Sequence, residues 1–263
     1  MTIQAYRLPL ALMVLCINGV VQGFLQSSIF NGVADFKMSW RDTEHNHKTI
    51  MNVLGLAYLA ASDQFIMMSM AQVLTIPAIR PTFEREVGNR MYSPGAFYMA
   101  LTFSGLTVFF LYPLFTALIS FWSFGFTDPT WMDFWNWTLP MALMAWVGSI
   151  WGFSFGSFFS NEMIALQWNL VCIILFNLGA GQQRSIGSST NYFASFISKV
   201  SPIRYGTEML MSRLMEGNMA KGGVMASLGY TNGEEYNRWA LVCLCLFFFV
   251  VGWINLMRTN SRD

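Results

Sequence analysis

Six long runs of apolar residues follow one another along the chain, separated by shorter polar stretches. Each run has about 20 residues or more, the length that a helix needs to cross the hydrocarbon core of a bilayer. The runs are continuous rather than alternating, which favours helices over the strands of a membrane barrel. We therefore predict an all-α membrane protein, a single domain over residues 1–263, with six transmembrane helices at about residues 8–30, 49–79, 95–126, 134–159, 164–183 and 239–257.

The basic residues between the runs predict an orientation. Six spans place both chain ends on one side of the membrane. Short loops decide the orientation under the positive-inside rule, and the arginines of residues 80–90 and of the chain ends favour an inner location for these segments. Trp131, Trp135, Trp137 and Trp239 lie near span boundaries, which is typical of an interfacial aromatic belt.

The composition supports a membrane location. Hydrophobic residues make up 54% of the chain and charged residues 11%, and the mean hydropathy is +0.43. A soluble chain of 263 residues could not bury so much apolar surface. The net charge is only +1 and the basic residues are scattered, so we expect the lipid bilayer, and no nucleic acid, as a partner.

No arrangement of residues typical of catalysis stands out. The four cysteines all lie inside apolar runs, where cysteine acts as a small hydrophobic residue. His45 and His47 have acidic neighbours and could be drawn as metal ligands, but a short charged loop is the commoner explanation. The sequence contains no G-x-x-x-x-G-K-[ST] phosphate-binding loop. We therefore expect no enzyme, no metal and no cofactor in this chain.

One carboxylate interrupts the second apolar run. Asp63 lies midway along it, beside Gln64. A charged side chain at the bilayer centre costs about 2.5–3.5 kcal/mol on insertion scales, so we expect Asp63 to face protein or water rather than lipid. A polar element of a substrate path and a structural hydrogen bond between helices both fit this position.

A charged segment follows the second run, RPTFEREVGNRMYSPGAFYMAL at residues 80–101. Its helical propensity and the stop at Ser93-Pro94 predict a short amphipathic helix at the membrane surface. Phe83 and Val87 are spaced i, i+4 and share one face. The face toward water or a partner carries Glu84, Arg85 and Glu86.

A second polar segment, ISKVSPIRYGTEMLMSRLMEG, follows the fifth run. It is moderately apolar, carries several charges and is broken by Pro202. Residues 188–216 therefore suit an interfacial position.

These two segments resemble the membrane domain of G-subfamily (white type) ABC transporters, an ABC-2 type permease. In that family R-P-x-F-x-R-E, followed by x-M-Y-S-P, is the intracellular coupling helix that docks on the nucleotide-binding domain. S-P-x-R-Y-x-x-E follows the fifth span, where relatives have re-entrant helices before an external loop. The matching residues are Arg80, Pro81, Phe83, Arg85, Glu86, Met91, Tyr92, Ser93 and Pro94 in the first motif and Ser201, Pro202, Arg204, Tyr205 and Glu208 in the second.

The resemblance implies a permease subunit that moves a lipid-like or amphipathic substrate. It also implies a homodimer, or a heterodimer with a similar transmembrane chain, and an ATPase supplied by a separate nucleotide-binding subunit. Docking of that subunit would involve Glu84 together with the matched residues of the first motif, Arg80, Pro81, Phe83, Arg85, Glu86 and Tyr92.

The sequence also departs from the family pattern. It has no ATPase motif, only about seven residues before the first run, and no cysteine or N-x-[ST] site in the loop after the fifth run. These departures leave open a second hypothesis, a permease-derived structural subunit of a larger membrane complex that no longer transports. They also favour an organellar or bacterial inner membrane over the secretory pathway.

Overall fold

The computed structural model describes residues 2–34, 43–104, 106–126, 128–181, 192–216 and 221–260. These residues form α-helices and a short 3-10 turn at Phe121–Ser123, and contain no β-strand. The helices are α1 (Thr2–Ile29), α2 (Thr43–Val73), α3 (Thr75–Gly88), α4 (Pro94–Ser104), α5 (Leu106–Ser120), α6 (Trp131–Gly156), α7 (Glu162–Gly179), α8 (Tyr192–Val200), α9 (Pro202–Leu214), α10 (Lys221–Leu228) and α11 (Glu234–Asn260).

Four helical stretches in the described part of the chain are long and apolar enough to cross a membrane. They are His47–Gly88, Trp131–Gly156, Glu162–Gly179 and Glu234–Arg258. Two further apolar helical stretches, Met13–Ile29 and Phe110–Ser123, are shorter. The predicted all-α class is confirmed for the described residues, and four of the six predicted spans have the length and apolarity of membrane-spanning helices.

The boundary after the second predicted span differs from the prediction. We predicted a span to residue 79, whereas α2 ends at Val73 and α3 begins at Thr75. Pro77 explains the break, because it lacks an N–H and its ring opposes the carbonyl group four residues earlier, that of Val73. The helix α3 therefore contains both the end of the predicted span and the start of the charged segment.

The start of the second span also differs. The helix α2 begins at Thr43, so His47 lies in a helix rather than in the predicted charged loop. The side chain of His45 and all of Asp42 lie outside the described residues. No cluster of three or more His, Cys, Asp or Glu side chains able to hold a metal occurs in the described part.

The helices α2 and α6 form the centre of the bundle. Two thirds of the apolar window of each (67%) is buried, against 28% for α7 and for α11. A stripe of three glycines one turn apart on α6 allows the close approach, and we call it the α6 glycine stripe. A Cβ atom added to Gly148 or Gly152 would lie only 2.5 or 2.7 Å from a backbone oxygen of α2, and one added to Gly156 would clash in the same way.

Contacts along the helices fix their relative directions. Successive glycines of the α6 stripe meet Phe65, Ser69 and Val73 in the same order, so α2 and α6 are parallel. On α11, Phe248 packs on Trp151, and Asn255 donates to Ser157 at 3.0 Å, so α11 runs parallel to α6 as well.

The remaining long helices run the other way. In α7, Asn169 bonds Ser69 and Asn177 accepts from Tyr58, so α7 is antiparallel to α2. The α4–α5 stretch is antiparallel to α6. At its start, Tyr98 lies beside Gly252, near the C-terminal end of α6. Just after its end, Phe121 packs on Phe134, near the N-terminal end of α6. The helix α1 is parallel to α5, because its residues Gly19 and Gly23 meet Tyr112 and Thr116. Six successive helical stretches thus alternate in direction.

Candidate functional site

The inner face of α3 packs against the start of α4. Phe83 and Val87 are buried, as their i, i+4 spacing predicts. The ring of Phe83 lies 4.8 Å from that of Phe97, centroid to centroid, and the ring of Tyr92 stacks on Phe97 at 5.6 Å. These aromatic contacts hold the charged segment rigidly on the end of the bundle.

The C-terminal end of α3 is closed by a compact turn. Arg90 adopts a left-handed conformation (φ 56°) and donates its N–H to Val87 at 2.9 Å, while the N–H of Met91 reaches Glu86 at 3.1 Å. This is a Schellman motif with arginine where glycine is commonest. Tyr92 donates its hydroxyl to the Glu86 carboxylate, and desolvation, with the nearby Glu86 charge, raises the pKa of Tyr92 to about 12.

The outer face of α3 carries the charged residues. Arg80 donates to Glu84 at 3.0 Å and to the hydroxyl of Ser160, in the link between α6 and α7, also at 3.0 Å. Arg85 and Pro81 are exposed. Surface ion pairs contribute about 0–1 kcal/mol each, so the exposed charges of Glu84 and Arg85 contribute little to the fold and are available for contact with another molecule.

The second motif forms α8 and α9. Ser201 caps α9, accepting from the N–H of Arg204 at 3.4 Å, and donates to the carbonyl of Phe176 in α7 at 2.7 Å. Pro202 occupies the first turn, where its missing N–H has no cost. Every residue from 201 to 211 is buried, because α2, α6, α7 and α11 enclose α9, whereas Tyr192, Phe193 and Phe196 of α8 are exposed. The interfacial position of the segment remains a prediction.

Glu208 is fully buried at the centre of a polar cluster. Its carboxylate accepts from the backbone N–H of Asn232 at 2.7 Å and from the Asn232 side chain at 3.4 Å. Desolvation raises the pKa of Glu208, while Asn232 and the nearby Arg204 oppose the shift. Arg204 itself lies over the ring of Tyr205, with 5.8 Å between the guanidinium carbon and the ring centroid. These contacts hold the segment before α11 against α9.

We expect Glu208→Ala to destabilise the protein strongly. It would leave the Asn232 N–H without its acceptor and the buried Arg204 without a nearby counter-charge. Leaving a buried donor such as the Asn232 N–H without its acceptor costs about 1–3 kcal/mol, and more where a charged group is involved. The matched control is Glu235→Ala, because the Glu235 side chain is 84% exposed and its loss should cost about 0.5 kcal/mol or less. Unfolding in mixed micelles measures the difference in stability between the two variants. Equal stability would contradict a structural role for the contacts of Glu208.

Asp63 lies inside the bundle. Its side chain is 8% exposed and accepts a hydrogen bond from the Tyr112 hydroxyl at 2.9 Å and from the Gln64 amide at 3.2 Å. The acid therefore ties α2 to α5, and it does not face lipid. A role in a substrate path remains a prediction.

A cavity that the sequence did not indicate opens between α5, α6, α9 and α11. Its volume is about 510 Å³. The apolar wall includes Phe110, Leu139, Pro140, Ala142, Leu143, Trp146 and Met209, and the polar residues are Asn136, Arg213, Glu234 and Arg238. Asn136 and Arg213 also border a smaller cavity of about 260 Å³. The lining comes from four helices far apart in sequence, so no local pattern could have predicted it.

The described helices define a class of integral membrane protein built around a closely packed helix pair, with a charged helix at one end and a buried polar cluster at the other. The chain belongs to the ABC-2 type transporter family, whose model matches residues 1–215. The match includes α3, Asp63 and α9. This is a family of permeases, the membrane components of the transporters, and is not itself catalytic. Among curated proteins, none matches the chain.

Proposed function

We propose that the chain is the membrane-spanning subunit of an ABC transporter of the G-subfamily type, driven by ATPase subunits that are separate chains. The α3 helix carries this proposal: its inner face is anchored by Phe83, while Glu84 and Arg85 point away from the bundle. A helix fixed in this way can transmit the movement of a docked subunit to the membrane helices. The substrate would be lipid-like or amphipathic, and two copies, or one copy and a similar chain, would enclose its path.

The alternating directions of six helical stretches support six membrane crossings. The parallel set α2, α6 and α11 opposes α1, the α4–α5 stretch and α7. In this arrangement α3, the link between α6 and α7 and the end of α11 share one end of the bundle. The short helices α8 and α9 then lie at the other end as the re-entrant element.

Co-purification tests the function directly. The tagged chain is extracted from its native membrane in mild detergent, and the proteins bound to it are identified and assayed for ATP hydrolysis. A nucleotide-binding subunit at one copy per chain is the expected result. A stable assembly without any ATPase would instead establish the alternative, a permease-derived structural subunit.

Two exposed glycines offer a matched test of the topology. Gly88 and Gly233 lie at opposite ends of the bundle, and a side chain at either position would meet no atom within 4 Å. In a variant without the four native cysteines, we expect Gly88→Cys and Gly233→Cys to react with an impermeant thiol reagent from opposite sides of sealed vesicles. Labelling of both from one side would exclude six crossings.

A further inference from the structure

The cavity between α5, α6, α9 and α11 has the length of one membrane leaflet. Asn136 and Trp146 both line it and are ten residues apart on α6, which corresponds to about 15 Å along that helix. This is half of the roughly 30 Å hydrocarbon core of a bilayer. The exposed Trp131 and Trp135 near the start of α6 are typical of the membrane interface, so the Asn136 end lies at the interface. Leu139 borders the cavity and is 51% exposed, so the cavity opens toward the lipid.

The charged residues at the interfacial end pair with one another. Arg213 donates to Glu234 at 2.6 Å and to Glu216 at 3.2 Å. Arg238 donates to the same Glu234 at 3.0 Å and lies 3.9 Å from Glu235. Each guanidinium group therefore already faces two carboxylates. An anionic head group would have to displace one of these carboxylates, so the charges favour an uncharged ligand.

One polar residue of the lining has no partner. The carboxamide of Asn136 makes no hydrogen bond within the described part of the chain, and it is only partly buried, so a ligand in the cavity can reach it. Pro140, one turn further along α6, has no N–H and leaves the carbonyl of Asn136 without its usual intrahelical donor. A neutral hydroxyl group can donate to and accept from such groups. The lining therefore favours a ligand with a hydroxyl group at one end and an apolar chain at the other.

We propose that this cavity binds one uncharged lipid with a hydroxyl head group from the surrounding leaflet. The hydroxyl group bonds to Asn136, and an acyl chain lies along Leu139, Leu143 and Met209 toward Trp146. The cavity volume of about 510 Å³ lies within the range of roughly 300–1,000 Å³ that is usual for ligand sites. The proposal requires a membrane location but neither an ATPase nor transport.

Lipid titration of the delipidated protein, followed by native mass spectrometry, tests the site. Three probes with the same acyl chains separate its parts. Diacylglycerol offers the hydroxyl group, its 3-acetyl ester lacks it, and phosphatidic acid replaces it with a charged phosphate. We expect diacylglycerol to bind about two- to tenfold more tightly than the ester, the range that one hydrogen bond supplies, and about tenfold more tightly than phosphatidic acid.

A substitution at Asn136 tests the hydroxyl contact. Asn136→Ala should weaken diacylglycerol binding about two- to tenfold and leave binding of the ester unchanged, because only diacylglycerol loses a hydrogen-bond partner. Gln167→Ala is the matched control, since it removes a carboxamide at an exposed position on α7 and should leave both lipids at wild-type affinity. Equal weakening of both lipids by Asn136→Ala would mean that the residue only maintains the local structure, and would contradict the proposal.

A cavity-filling variant with a matched control locates the binding. Ala142→Phe projects a ring into the cavity, whereas Ala100→Phe adds the same ring at an exposed position on α4. We expect at least tenfold weaker diacylglycerol binding for the first and wild-type binding for the second, with gel filtration to verify folding. If Ala142→Phe does not fold, Leu139→Trp fills the cavity from a half-exposed position.

Three results would each overturn the proposal: equal diacylglycerol binding by the filled and control variants, equal affinity of the wild type for diacylglycerol and the ester, or phosphatidic acid binding as tight as diacylglycerol. Loss of the ATPase partner would not, so the two proposals fail separately.

Discussion

Replacing Gly152 with leucine is expected to prevent stable folding of the bundle. The Cβ alone would lie 2.7 Å from the backbone oxygen of Ser69 and 2.9 Å from the Cβ of Gln72, so α2 and α6 would have to separate. Separation would remove contacts along the α6 glycine stripe, where close approach of the backbones supplies the packing energy in a membrane. Overpacking of a well-packed core costs about 1–3 kcal/mol, and we expect a clash with the backbone to cost more than this range.

A graded series tests this expectation. Gly152→Ala should lower the thermal unfolding temperature in detergent, and Gly152→Leu should give aggregated or unfolded protein on gel filtration. Gly223→Leu is the matched control, because a side chain there would meet no atom within 4 Å. Wild-type stability of Gly152→Leu would show that α2 and α6 do not pack as described.

The helical class and four helices long and apolar enough to cross a membrane could be predicted, because length and hydrophobicity can be read directly from the sequence. The amphipathic face of α3 followed from the spacing of Phe83 and Val87. The α6 glycine stripe was missed, although G-x-x-x-G-x-x-x-G at residues 148–156 is a recognised signal for close helix packing. The break before α3 lies at Thr75 rather than at Arg80, because Pro77 cannot donate to the carbonyl of Val73.

The candidate sites were harder to predict from the sequence than the helices. Glu208 was identified by its motif alone, and its partner Asn232 lies 24 residues away with no pattern linking the two. Charged residues in a moderately apolar segment indicate an interface, yet α9 is enclosed because four helices pack around it. The cavity depends on the same long-range packing. Local patterns report which face of a helix is apolar, but not which partner covers it.

Removing the charges of the outer face of α3 is expected to separate ATP hydrolysis from transport. The triple variant Glu84→Gln, Arg85→Gln, Glu86→Gln should fold normally, because Glu84 and Arg85 are exposed and glutamine at position 86 still accepts from Tyr92. If a nucleotide-binding subunit docks on this face, losing three charge-assisted contacts should weaken docking at least tenfold. Transport by the reconstituted complex should fall with it, while ATP hydrolysis by the partner continues.

The control carries charge changes at the other end of the bundle. Glu216→Gln with Glu235→Gln alters two exposed acids there and should leave coupling at the wild-type level. A photo-crosslinking residue in place of Arg85 then identifies what covers the face. Crosslinks to an ATPase in the wild type, and their loss when Glu84 and Glu86 are neutralised, support coupling through α3. A different outcome would contradict coupling: crosslinks only to subunits without nucleotide-binding domains, and no transport by the variants or the wild type. In that case α3 would hold the chain in an assembly. The inner contacts of Phe83 are compatible with either role.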